Sequence, residues 1–111
     1  MIGIEKSGRI FIYALPIDGR LAHRGLADLV TNSMKRDLLQ GDIFLFISGS
    51  RRAAKIIIFD GTGLLLMHKK LEKGLFMQVP HSTHGSELSG KALEKILNGS
   101  NVLLGYSLDN S

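Results

Sequence analysis

The chain has no cysteine and no tryptophan, only two prolines, and just seven aromatic residues among 111. Without cysteine there can be no disulfide, thiolate zinc site or cysteine nucleophile, and any metal would have to be held by His, Asp and Glu. No apolar run approaches the ~20 residues needed to cross a bilayer. The opening Met1-Ile2-Gly3-Ile4-Glu5-Lys6 meets charge before it builds the apolar core of a secretory signal, so a cytoplasmic protein with no membrane partner is expected. Linkers, internal repeats and long polar tracts are absent as well. Residues 1–111 therefore read as a single domain, ordered over about 9–104 with a frayed C-terminal tail.

What is present is an ordinary globular composition, 44% hydrophobic and 22% charged. Arg9-Ile10-Phe11-Ile12-Tyr13-Ala14-Leu15 is rich in β-branched and aromatic residues and stops at Pro16, which predicts a strand. Asp18 stands where an N-cap would, ahead of Ala22, Leu26, Leu29, Val30 and Met34 at helical spacing. This predicts an amphipathic helix from about Gly19 to Arg36, with Gly25 allowing close approach to a sheet. Ile43 to Ile47 follows the Gly41-Asp42 turn as a second strand. Ala54 to Phe59 and Leu64 to Lys69 flank Asp60-Gly61-Thr62-Gly63, the pattern of a tight hairpin. A two-residue turn at Gly61-Thr62 would pair Phe59 with Leu64, Ile57 with Leu66 and Lys55 with His68.

Leu75 to Val79 reads as one more strand, halted by Pro80. Ser89 then caps a second helix carrying Leu93, Ile96 and Leu97 and ended by Asn98-Gly99. The order β-α-β-β-β-β-α predicts an α+β domain, an antiparallel meander of about five strands with both helices on one face. Both faces of the hairpin are apolar near its turn. Either the sheet curls on itself or a partner covers the surplus, which makes a homodimer one expectation.

Charge is distributed unevenly. Residues 51–73 hold Arg51, Arg52, Lys55, Lys69, Lys70 and Lys73 against Asp60 and Glu72, and so carry the whole net charge of +4. The remaining residues balance at eight of each sign. The hairpin would gather these six cations at its open end, where they could contact a phosphate backbone with little sequence preference. The alternative is a solvated rim that protects strand edges from aggregation. The lack of tryptophan and the few aromatics near the patch argue against a base-stacking single-strand binder.

Catalytic motifs are weak. Gly85 to Ala92 nearly spells a P-loop, but Ala92 replaces the magnesium-binding hydroxyl and no apolar strand leads in, so Ser89 as a helix cap explains the segment better. His81 and His84, with His68, fall short of a converging zinc set and read as polar loop residues. Asp18, Asp60 and Glu72 are the carboxylates a metal-dependent nuclease would need, yet two of them read as cap and turn residues. A non-enzymatic protein without cofactor is expected.

Several segments together resemble a known family: Pro16-Ile17-Asp18-Gly19-Arg20, Gly25-Leu26-Ala27-Asp28-Leu29-Val30, Gly41-Asp42-Ile43-Phe44-Leu45-Phe46, Lys55 to Gly63, and Lys69-Lys70-Leu71-Glu72-Lys73-Gly74-Leu75-Phe76. In order and spacing the chain resembles the TnpB-type accessory protein, encoded by the second open reading frame of the sixty-six family of bacterial insertion sequences. The resemblance runs from about Arg9 to Gly99. It implies an accessory role in transposition beside a separate transposase, with DNA or that transposase as partner. It also implies an ion pair between Asp18 and Arg20 within a Pro-x-Asp-x-Arg motif. Where the family tends to have methionine, tryptophan and arginine, this chain has Gly19, Phe59 and Lys70, so the basic string keeps its charge without arginine's bidentate fork. Two readings follow: an accessory factor that contacts DNA through the six cations, or a module that docks on the transposase through the apolar hairpin face.

Overall fold

Strand β1, Ile10–Ile17, carries an almost unbroken run of buried side chains, as a strand covered on both faces must. A computed structural model describes residues 8–99, so the tail expected to fray lies outside the described residues. After β1 the chain turns at Asp18, whose carboxylate accepts from the Arg20 backbone N–H at 2.9 Å. Helix α1, His23–Asp28, begins only later, with Ala22 at its N-cap. Asp18 is thus a turn residue and not the cap that the spacing suggested. The helix is also much shorter than Gly19 to Arg36. It widens into one π-helical turn at Leu29–Ser33, and Lys35 then leaves it with a left-handed φ of 58°. Gly25 is crowded by Leu21, whose Cδ2 would lie 2.6 Å from an added Cβ.

Strands β2, Ile43–Ser48, β3, Ala53–Phe59, and β4, Leu64–Lys70, follow, then the short β5, Glu87–Leu88, and helix α2, Gly90–Leu97. All five strands join one sheet in the order β4-β3-β2-β1-β5. The α+β class and the element order stand, and the hairpin pairs Phe59 with Leu64, Ile57 with Leu66 and Lys55 with His68 in the register the turn dictated. Asp60 holds that turn, its carboxylate accepting from the N–H groups of Thr62 and Gly63 at 3.0 Å each.

The expected antiparallel meander is replaced by a mixed sheet, because β1 and β2 run parallel. The intervening helical segment carries the chain back to the end where β1 began, the usual consequence of a helical crossover. The fifth strand is not Leu75 to Val79. That stretch is irregular, and its Phe76 is fully buried beneath α2 with Ile56, Ile58 and Ile96. Glu87–Leu88 instead pairs with Ile10 and Phe11 on the free edge of β1.

The helices lie on opposite faces, not on one. Period-two alternation sends Phe11, Tyr13, Phe44, Phe46 and Ile57 toward Leu26 and Val30 of the α1 segment. It sends Ile12, Leu45, Ile47, Ile56 and Ile58 toward Ile96 of α2 and Phe76. Each face of the sheet is thus largely covered within the chain, while Met67 at 48% and Leu15 at 37% stay exposed. Ser89 caps α2 by accepting from the Ala92 N–H at 3.0 Å, and Gly99 follows it with a left-handed φ of 80°.

Candidate nucleic-acid interface

Strand alternation also sorts the three lysines that lie on the hairpin strands, Lys55, Lys69 and Lys70, since neighbours on a strand must point to opposite faces. Lys55 shares the α1 face with Ile57. It is 5% exposed, and its Nζ donates to the Gly19 carbonyl at 2.6 Å and to the Leu21 carbonyl, tying β3 to the loop that enters α1. Lys69 pairs with Ala54 on the α2 face, where its Nζ donates to the Leu97 carbonyl at the C-terminal end of α2, 2.7 Å away. That position suits a cation, because the helix end carries partial negative charge. These two lysines are spent on the fold.

Arg52 and Lys70 are exposed and come together. With His68, Ser48, Ser50, Ala53 and Gly19 they line one recess of about 260 Å³ at the open end of the hairpin. Among the described residues no carboxylate lines it. The ion pairs formed between described residues are Arg9 with Asp42 and Arg20 with Asp18, so neither Arg52 nor Lys70 is neutralised by one. The floor is ordered by hydroxyls: Ser48 Oγ accepts from the Ala53 N–H at 3.1 Å and lies 3.2 Å from Ser50 Oγ. Lys73 is exposed on the loop after β4. His68 joins the recess through its pairing with Lys55, the signal in the sequence by which it could have been placed there.

Arg51 goes elsewhere. It adopts a left-handed φ of 61° at the end of a turn closed by its own N–H on the Ser48 carbonyl at 2.9 Å, and its carbonyl accepts from the Phe76 N–H at 2.7 Å. Its guanidinium reaches Gln78 Oε1 at 3.4 Å and lines a second cleft of about 300 Å³ alongside the C-terminal half of β1 and the end of β2. Tyr13, Gln78 and His81 line that cleft too. Sequence reasoning missed it, because its walls come from three segments, around residues 13–16, 47–51 and 77–81, that only the fold unites.

The carboxylates are dispersed. Asp18 receives the Arg20 guanidinium at 2.7 Å, and that donor holds its carboxyl down at about 2. Asp60 lies in the β3–β4 turn, with its pKa lowered by the Thr62 and Gly63 N–H groups. A strand length, roughly 20 Å, separates it from Glu72. Among the described residues no three His, Asp or Glu side chains are grouped to hold a metal. His84 is occupied structurally: its Nδ1 accepts from the Ala14 N–H at 3.0 Å while its ring stands edge-on to Tyr13. The P-loop-like stretch is equally accounted for, since Gly85 N–H and Ser86 carbonyl bond the backbone of Ile12.

A family model described as IS66 Orf2 like protein matches residues 8–103. The chain belongs to the IS66 Orf2-like family. It is therefore a protein associated with bacterial insertion sequences. The string Lys69-Lys70-Leu71-Glu72-Lys73 supplies Lys70 to the recess and Lys69 to the end of α2. An uncharacterised protein of Sinorhizobium fredii, y4jC, is 36% identical over 80 residues, which cover 72% of this chain and 68% of that relative. No solved structure matches this member of the family. Among its described residues no helix is long and apolar enough to cross a membrane.

Proposed function

We propose that this IS66 Orf2-like chain is a non-catalytic accessory factor for transposition in the bacterial cytoplasm, and that it holds the DNA backbone through Arg52, Lys70 and Lys73. The observation that carries this reading is the recess in which Arg52 and Lys70 converge, with no carboxylate among the described residues of its wall. Cations without acidic partners retain their full attraction for phosphate, and their contacts release counterions from DNA. Among the described residues the carboxylates are dispersed and His84 is bonded to the Ala14 N–H, which supports the non-catalytic reading.

Binding to a labelled duplex across a salt series tests the proposal. Each neutralised phosphate adds about 0.9 to the slope of log affinity against log salt. Replacing Arg52, Lys70 and Lys73 together by alanine is expected to flatten that slope by roughly two to three. An unchanged slope, or no binding at low salt, overturns the DNA reading. A salt-insensitive complex with the element's transposase would then transfer the role to the hairpin's apolar outer residues, where Met67 is 48% exposed.

A further inference from the structure

The 300 Å³ cleft and the cationic recess are not separate features. Ser48 lines both, and consecutive residues of the same loop, Arg51 and Arg52, project into one and the other. The cleft lies alongside the C-terminal half of β1 and the end of β2, past the short stretch of β1 that β5 covers. Its walls combine apolar surface from Leu15, Pro16 and Val79 with the edge of Tyr13, the His81 ring, the Arg51 guanidinium and the Gln78 amide, and no acidic group. Flat aromatic or guanidinium faces with an amide at the rim are the groups proteins use for an unstacked base: the faces stack on it and the amide reads its hydrogen-bonding edge. Its volume falls at the lower end of small-ligand sites, ~300–1,000 Å³. A base still stacked within a duplex cannot enter. Arg51 itself holds a left-handed backbone, a strained state of the kind found at ligand sites, and its side chain is directed into this cleft.

We infer that the cleft receives one unpaired nucleotide at a DNA end, its base between His81, Arg51 and the apolar wall, while the adjoining phosphates lie on Arg52 and Lys70. This inference rests on the DNA reading above and adds a preference for ends that are not blunt. The aromatic groups required are few: Tyr13 is buried against Phe46 and His84, so the exposed His81 ring is the one offered to a base, beside the Arg51 guanidinium.

Three duplexes of the same sequence separate the possibilities in an anisotropy titration of the full chain: blunt, with a short single-stranded overhang, and with an abasic overhang of equal length and charge. The normal overhang is expected to bind on the order of tenfold more tightly than the abasic one, the scale of one base stacked on a protein face. Gln78→Ala with His81→Ala, both at exposed side chains, should reduce that ratio to within about twofold and leave blunt-duplex affinity unchanged. Equal affinity for normal and abasic overhangs overturns the inference while blunt binding keeps the DNA reading intact. A preference that survives in the double variant overturns the assignment to this cleft. Failure to bind any of the three duplexes overturns both readings.

Discussion

Lys55 illustrates how a charged residue's role depends on strand parity. In the sequence it stands among six cations of one region; in the fold it shares a face with Ile57, and burial leaves its ammonium only the Gly19 and Leu21 carbonyls. A buried charge is tolerated when it is hydrogen-bonded and costly when its partners are removed. Lys55→Met keeps the aliphatic bulk and orphans two carbonyls. The expected outcome is a loss of about 2 kcal/mol in urea unfolding, with the slope of DNA affinity against salt unchanged. A slope that falls with Lys55→Met would return Lys55 to the interface. The sequence showed the charge of Arg52, Lys69 and Lys70 equally; it could not show that Lys69 is taken by the end of α2.

At the scale of elements, the hairpin was the most legible part of the chain because its turn is specified locally. Glycine supplies the unusual backbone at Gly61, where φ is 106°, and Asp60 satisfies the two N–H groups of the bend. The α1 segment was the least legible: its apolar spacing is helical throughout, but the Asp18–Arg20 turn delays its start and the π turn at Leu29–Ser33, followed by the left-handed Lys35, leaves only six residues of regular α-helix. Both turn carboxylates are more acidic in the fold than in the unfolded chain. Their stabilisation is therefore complete above the ordinary aspartate pKa of ~3.9 and is lost as pH falls through the folded values, which for Asp18 lies at about 2. Unfolding midpoints should be flat near neutrality and fall from about pH 4 to pH 2. Asp60→Asn keeps an acceptor for the turn but removes its charge, so this variant should be less stable at pH 6 and show a shallower decline on acidification. Identical pH profiles for the two proteins would contradict the role given to the Asp60 carboxylate.

At the scale of the molecule, one sheet is covered twice, and the second cover depends on a segment without regular structure. Phe76, fully buried beneath α2, closes the core opposite α1. Phe76→Ala is expected to cost about 3–5 kcal/mol, a large share of the stability of a small domain. A change below about 1 kcal/mol would show that α2 packs without it. Locally encoded features were readable from the sequence alone: the first four strands but not the fifth, the hairpin register, the Ser89 cap, the family, and the concentration of positive charge between residues 51 and 73. These depend on side-chain periodicity, turn chemistry and capping, which act within a few residues. Tertiary structure alone decided that β1 and β2 run parallel, that the helices take opposite faces, and that two cations of six meet in a recess while Arg51 turns into a cleft. Those outcomes depend on how the helical crossover returns the chain and on which face each residue is given by its strand, and both are fixed only when distant segments pack.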